Sequence, residues 1–339
     1  MSTSQHPAGI LPCQAIEALI EQEAITAASP IPHGLVQPAS IDLRLGHRAW
    51  RVRASFLPGV RRVSERLADV SMHQLDLSDG AVFERGCVYI AEIQERLALP
   101  GHICGRANPK SSTGRLDVFV RLLTDYGAAF DDVAAGYEGP LFVEIAPQTF
   151  SVLARAGTRL NQLRLRTGAR VQLGVRDVGV DLTGELAGYR ARRHAPVIDL
   201  DREDAHDPRD FWTPLEALRG ELVLDPGEFY ILASNETVEI PVMEAAEMTP
   251  IDPAVGEFRA HYAGFFDPGF GAAETLGQGS RAVLEVRSRE TPFILEHGQT
   301  VARLVHEPMI EKPARLYGEG GSHYQRQGLK LSKHFRSAR

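Results

Sequence analysis

Cysteine is scarce in this chain: Cys13, Cys87 and Cys104 are the only three in 339 residues, far apart and odd in number. That excludes a disulfide framework and a thiolate metal knuckle, and it fits a reducing cytoplasm. Long apolar runs are missing as well. No stretch of about 18 uncharged apolar residues occurs, so no transmembrane helix is expected. The opening MSTSQHPAGILPCQAIEALIEQEAI has no basic segment leading into an apolar run, and no secretory signal is expected. Positive charge is not in excess. A net charge of −7 argues against a general binder of nucleic acid or membranes, so any cationic site has to be local. Also absent are a Walker loop, a dinucleotide fingerprint and the His-x-Glu with Pro-Cys-x-x-Cys pattern of a zinc deaminase.

What is present is β-rich. Short alternating runs such as CVYIAEI, LFVEIAP, FYILAS and RAVLEVRS are punctuated by Gly, Pro and Asp, as in an all-β barrel or sandwich. Residues 14–24 read as one short amphipathic helix, with Ile16, Leu19 and Ile20 on one side and Pro12 near its start. The chain also repeats itself. At an offset of 141 residues, GCVYIAEIQERLALP from Gly86 lies over GEFYILASNETVEIP from Gly227. Tyr89 then meets Tyr230, Glu95 meets Glu236, Pro100 meets Pro241, Glu144 meets Glu285, Gly157 meets Gly298 and Leu163 meets Leu304. A constant register over so long a span implies two related β modules, residues 1–167 and 168–339. The Val180-Asp181-Leu182 triplet echoes Ile41-Asp42-Leu43 at the start of the second. The charge-rich stretch of about 185–215 reads as an exposed insertion in which Phe211 and Trp212 anchor a loop.

The repeats differ where chemistry is expected. The first has KSSTGRLD at 110–117, two hydroxyls beside a Lys and an Arg. Hydroxyls and backbone N–H groups there can bond phosphate oxygens while the cations neutralise charge. The second has IDPAVGEF at that place, but carries AHYAGFFDPGFG, a tight Asp-Pro-Gly turn after an aromatic run. Both keep a Glu inside an apolar strand. Strand alternation can turn such a carboxylate to solvent; partly desolvated, with a raised pKa, it can instead exchange protons near neutral pH. The C-terminal YGEGGSHYQRQGLKLSKHF offers glycine N–H groups, Tyr324, Gln325 and Gln327 to an anion, with positive charge from Lys330, Lys333 and Arg336. A Gly-rich basic terminus is often disordered, yet aromatic and amide residues are not typical of such tails.

Taken together, GILPCQAIEALI, QPASIDLRLG, KSSTGRLD, FFDPGFG, VLEV and YGEGGSHYQRQ resemble motifs of the dCTP deaminase branch of the trimeric dUTPase-like superfamily, here in a long, duplicated form. The resemblance covers most of both modules apart from the insertion. It implies distorted β-barrels with a few short helices and a metal-free hydrolysis of dCTP to dUTP and ammonia, with Mg²⁺ bound to the nucleotide. By the same resemblance Glu285 is the general base and proton shuttle, and Ser111 and Arg115 hold the attacking water and the charge developing at cytosine C4. Lys110 and Ser112 cradle phosphates, backbone groups around His261, Tyr262 and Ala263 read the base edge, and Asp267 lies by the deoxyribose. Tyr317, Tyr324 and Gln327 close on the triphosphate. Three departures leave nucleotide preference open: His323 stands where the family usually has Lys, Phe270 replaces Trp, and AAETLGQGS is inserted after the turn.

Because only the first repeat has SSTGR and only the second has FFDPGFG and the tail, the expected site is composite, with Arg115 facing Glu285 of the same chain. Two module types cannot alternate around a ring of three, so a monomer or homodimer is favoured over a simple trimer. The rival is a threefold ring of first modules using Ser111, Arg115 and Glu144. Competing functions are a dUTP diphosphatase, a bifunctional enzyme taking dCTP to dUMP, and a catalytically silent nucleotide sensor.

Overall fold

The computed structural model describes residues 7–252, 258–261, 264–288, 291–319 and 324–337, the side chains of 258–261 excepted. The chain is mainly β. The first half builds an eleven-stranded, barrel-like sheet around Ser40–Val52, Val88–Ala98, Glu138–Pro147 and Arg159–Thr167. The second half builds smaller sheets around Phe229–Thr237, Glu244–Pro250, Arg281–Ser288 and Thr300–Pro308. The N-terminal helix spans Cys13–Glu21, with Ile16 and Leu19 buried, and stops short of 24 where Glu23 turns left-handed at φ 59°. A second helix, Val63–Val70, not expected from the sequence, buries Val63, Leu67 and Val70.

The 141-residue repeat is a repeat of strand register. Glu144 pairs with Ile90 and Glu285 with Ile231. Thr167 pairs with Ile103 and Pro308 with Glu244. The matched side chains repeat their contacts too. The Tyr89 hydroxyl accepts from the backbone N–H of Glu84 at 3.1 Å, and that of Tyr230 from Asp225 at 2.8 Å. Glu95 accepts from the Arg44 N–H at 2.8 Å and Glu236 from the Gly179 N–H at 2.9 Å. Gly86 and Gly227 turn into their strands at φ 74° and 73°, a conformation in which a Cβ is disfavoured.

Two sequence expectations need correction. Register places Asp177, not Asp181, at the position of Asp42: Asp42 pairs with Gln162, and Asp177 with Arg303 of the repeated strand. The continuous strand Ser40–Val52 is replaced in the second half by Gly174–Gly179 and Gly188–Ala191, and the intervening residues shift the apparent match. Nor is the insertion wholly exposed. Ile198, Leu200, Phe211 and Trp212 join the first core, and Ile198–Asp199 adds a parallel strand beside Val152–Ala154.

Trp212 does anchor this segment. Its ring meets Phe150 edge-on at 5.3 Å, Phe335 at 5.9 Å and Phe229 at 6.0 Å, so insertion, first half and C-terminus share one aromatic cluster. Trp212→Ala is expected to cost about 3–5 kcal/mol in chemical denaturation, and a cost below about 1 kcal/mol would exclude this anchoring role.

The junction of the halves is charged and asymmetric. Arg106 pairs with Glu247 at 3.2 Å and Arg166 with Glu307 at 3.7 Å, each arginine meeting the residue at its own position in the other copy. Arg170 bridges both carboxylates, at 2.8 and 2.6 Å. Two identical modules placed this way would bring like charges together, which disfavours their association.

Candidate active site

Strand Ile103–Pro109 ends at a proline, and the short helix Ser111–Gly114 follows, with Lys110 as its N-cap. The Lys110 carbonyl accepts from the N–H groups of Thr113 and Gly114, which fixes the turn. Its ammonium is held at 2.5 Å by Asp42, a buried carboxylate that also faces Arg159 at 3.4 Å. One carboxylate thus holds two cations beside a cavity of about 600 Å³. Ser111 and Ser112 line that cavity, and the Ser112 carbonyl accepts from the Ser332 hydroxyl at 2.7 Å.

The opposite wall belongs to the second half. Glu285 lies on strand Arg281–Ser288, opposite Ile231 on one side and His261 on the other. It is 5% exposed, and burial pushes its carboxyl up to about 8; Arg115 opposes the shift and Asp117 adds to it. The turn bearing Asp267 follows strand Phe265–Phe266. Gly271 in it has φ 69°, and a Cβ there would lie 1.8 Å from the Val238 carbonyl oxygen. Asp267 accepts from Arg164 at 3.2 Å, and burial raises its pKa against that arginine's pull. Arg164 also donates to the Ala246 and Phe266 carbonyls and lies 4.0 Å over the Phe265 ring, so the first half grips the second half's turn.

Arg115 joins the walls. Buried, it donates to the Gln327 side-chain oxygen and to the Lys330 carbonyl, each at 2.9 Å, with its guanidinium 3.9 Å from the centre of the Tyr324 ring. Gln327 in turn donates to the Arg281 carbonyl at 2.9 Å, tying Arg115 to the Glu285 strand. Tyr324 and Gln327 therefore pack on Arg115 while lining the cavity. Tyr317 lines it too, its ring 5.4 Å from Phe270 and its N–H on the Pro268 carbonyl.

Ser111, Arg115 and Glu285 thus line one cavity within one chain, with Lys110, Ser112, Asp267, Tyr317, Tyr324 and Gln327. Of the base-reading segment, His261 is placed by its backbone alone, and Tyr262 and Ala263 lie outside the described residues. Glu144 does not line this cavity. It is buried against Arg121 at 2.5 Å, whose guanidinium stacks 3.7 Å over Phe130. Sequence motifs assign no role to Asp42, Arg159, Gln162, Arg164 or Arg315; Gln162 and Arg164 are marked only as polar residues two apart, on one face of a buried strand.

A deeply buried carboxylate beside a guanidinium, in a cavity flanked by lysines and arginines, suits a polyanion with a reactive polar head. Fold and site together define a duplicated β-module protein with one cavity walled by both halves and flanked by cationic side chains.

Two family models cover the chain: the 2'-deoxycytidine 5'-triphosphate deaminase (DCD) N-terminal domain matches residues 7–169, and the C-terminal domain matches 153–335. The chain belongs to the 2'-deoxycytidine 5'-triphosphate deaminase family. It is 30% identical over 131 residues to a dCTP deaminase of Haloarcula marismortui, a match covering 38% of this chain and 64%, just under two thirds, of that one. It is 33% identical over 174 residues to a "dCTP deaminase, dUMP-forming" of Parafrankia sp., covering 49% of this chain and 81% of the relative. The crystal structure of a 2'-deoxycytidine 5'-triphosphate deaminase from Agrobacterium tumefaciens superimposes with a TM-score of 0.85 at 52% identity, covering 89% of this chain and 99% of that one. No helix among the described residues is long and apolar enough to cross a membrane.

Proposed function

We propose that this chain hydrolyses dCTP to dUTP and ammonia, with Glu285 as general base and proton shuttle and no metal held by the protein. The observation that supports this most is that Glu285 and Arg115 line one cavity and that the Arg115 charge acts on the Glu285 carboxyl, in a chain of this family. Water is too weak to attack C4 unless its proton is removed. The Glu285 carboxylate takes that proton as the oxygen bonds to C4 and delivers it to N3. A second proton passes from the new hydroxyl to the amino group, the C4–N bond breaks with its electrons on nitrogen, and ammonia leaves C4 as a carbonyl. Ser111 orients the water, and Arg115 stabilises the charge developing at C4, a contribution on the order of several kcal/mol for fixed donors. Lys110, Ser112, Tyr317, Tyr324 and Gln327 serve the triphosphate, which arrives as its Mg²⁺ complex. Asp267 lies by the deoxyribose and the backbone at His261, Tyr262 and Ala263 reads the base. The modules divide near residue 167, and one such site per chain favours a monomer or homodimer.

Incubation with dCTP, magnesium being the only added metal, tests the reading. Equal amounts of ammonia and dUTP are expected. A second reading, supported by relatives named dUMP-forming, gives ammonia, dUMP and pyrophosphate instead. Formation of dCMP, or binding without turnover, would overturn deamination. Glu144, occupied by Arg121, takes no part: Glu144→Gln is expected to lower the melting temperature and leave turnover near that of the unmodified chain. A dead but folded Glu144→Gln would move the base to the first module.

A further inference from the structure

Two residues beyond Arg115 in one half, and two beyond Glu285 in the other, an ion pair between Asp117 and Arg287 closes across the same junction. Asp117 is fully buried and holds φ at 56°, a left-handed conformation that is costly for a residue with a side chain, though least so for Asp and Asn. Its carboxylate accepts from the Thr149 hydroxyl at 2.5 Å and from Arg287. Arg287 also donates to Thr149 at 2.8 Å and to the Gly227 carbonyl, at the turn leading into the strand that pairs with Glu285. Side chains two apart on a strand leave the same face, so Arg287 stands beside Glu285. In the other copy the strand register puts Ala146, which has no charge to offer, at the place of Arg287, so the ion pair has no counterpart there. A buried ion pair adds little net stability, and one closed at a left-handed residue adds less.

We propose that Asp117 and Arg287 are positioning residues for this site, their ion pair fixing the Glu285 strand against the 111–117 turn and so setting Glu285 against Arg115. The inference rests on the reading of Glu285 as the base. It also has an electrostatic side, because the Asp117 charge raises the Glu285 carboxyl.

The test is pH-dependent kinetics of Asp117→Asn, whose side chain keeps the shape and tolerates the backbone angle, and of Arg287→Gln, with melting curves for both. Each is expected to lower turnover by about 10²-fold, the scale of a small misplacement at a reacting centre, and to change KM far less. The acid limb of the rate profile is expected to move down in Asp117→Asn, where a negative neighbour has gone. It is expected to move up in Arg287→Gln, where Asp117 is left uncompensated. Opposite displacements separate this role from general loosening, which moves both the same way. Arg287→Lys, which keeps the charge, is expected to hold the acid limb in place and restore part of the turnover, and it decides the matter if Arg287→Gln does not fold. Folded variants with unchanged turnover and acid limb would overturn the proposal, as would displacement in one direction only. Glu285→Gln is assayed alongside. If it stays active the base assignment fails; if it is dead while the Asp117 and Arg287 variants behave as the parent, only the clamp fails.

Discussion

Glu285→Gln is expected to lose turnover by roughly 10²-fold or more, the usual worth of a general base, while still binding dCTP. It is also expected to be more stable than the parent at alkaline pH. The folded-state carboxyl titrates near 8, above its ordinary value of 4.5. Between those values the folded chain holds a proton that the unfolded chain has released, so stability falls as pH rises and the loss is complete above about 8. Glutamine removes that loss. Melting curves of both proteins should diverge as pH rises from 5 to about 8.5, with the variant higher. In the parent, kcat/KM should fall as pH drops below about 8, where the base becomes protonated. A Glu285→Gln enzyme with normal turnover, or with no stability gain at alkaline pH, would remove either the base or its burial from the mechanism.

Arg115→Lys should be nearly as damaging although it conserves charge. The guanidinium serves Gln327 and Lys330 at once while lying flat on Tyr324, and a lysine ammonium cannot reproduce that fork or that stacking. Turnover is expected to fall by about 10²–10³-fold, the range seen on loss of one preorganised donor. The tail should loosen too, because Gln327 and the Lys330 carbonyl lose their donor near a buried cluster. Hydrogen exchange across 324–337 reads this directly. Faster exchange confined to that segment is expected; unchanged exchange with full activity would mean that Arg115 neither holds the tail nor acts on the substrate.

The duplication was legible because it is a duplication of register: Gly86 and Gly227 recur for their left-handed turns, Tyr89 and Tyr230 for the same hydrogen bond, and Glu95 and Glu236 for the same backbone contact. Recurrence alone therefore says nothing about catalysis. Glu144 and Glu285 show this, since they share a register but only Glu285 lines the cavity. Arg115 was readable from its motif. Asp42, Arg164 and the Asp117–Arg287 pair were not, because their meaning arises only when residues about 70 to 170 apart in the chain meet. The charged insertion misled for another reason. Its formal charge hid four large apolar side chains that complete the first core, and composition over a window cannot show which residues turn inward.

One mixing experiment tests most directly whether a single chain holds the whole site. Arg115→Lys and Glu285→Gln proteins, each inactive alone, are combined under conditions that dissociate and reassociate any oligomer, and ammonia release from dCTP is followed. If Arg115 and Glu285 work together within one chain, every site in the mixture carries one lesion and activity stays at the level of the separate variants. Recovery of a substantial fraction of the parent activity would mean that the two residues meet across a subunit boundary, and would contradict the composite site.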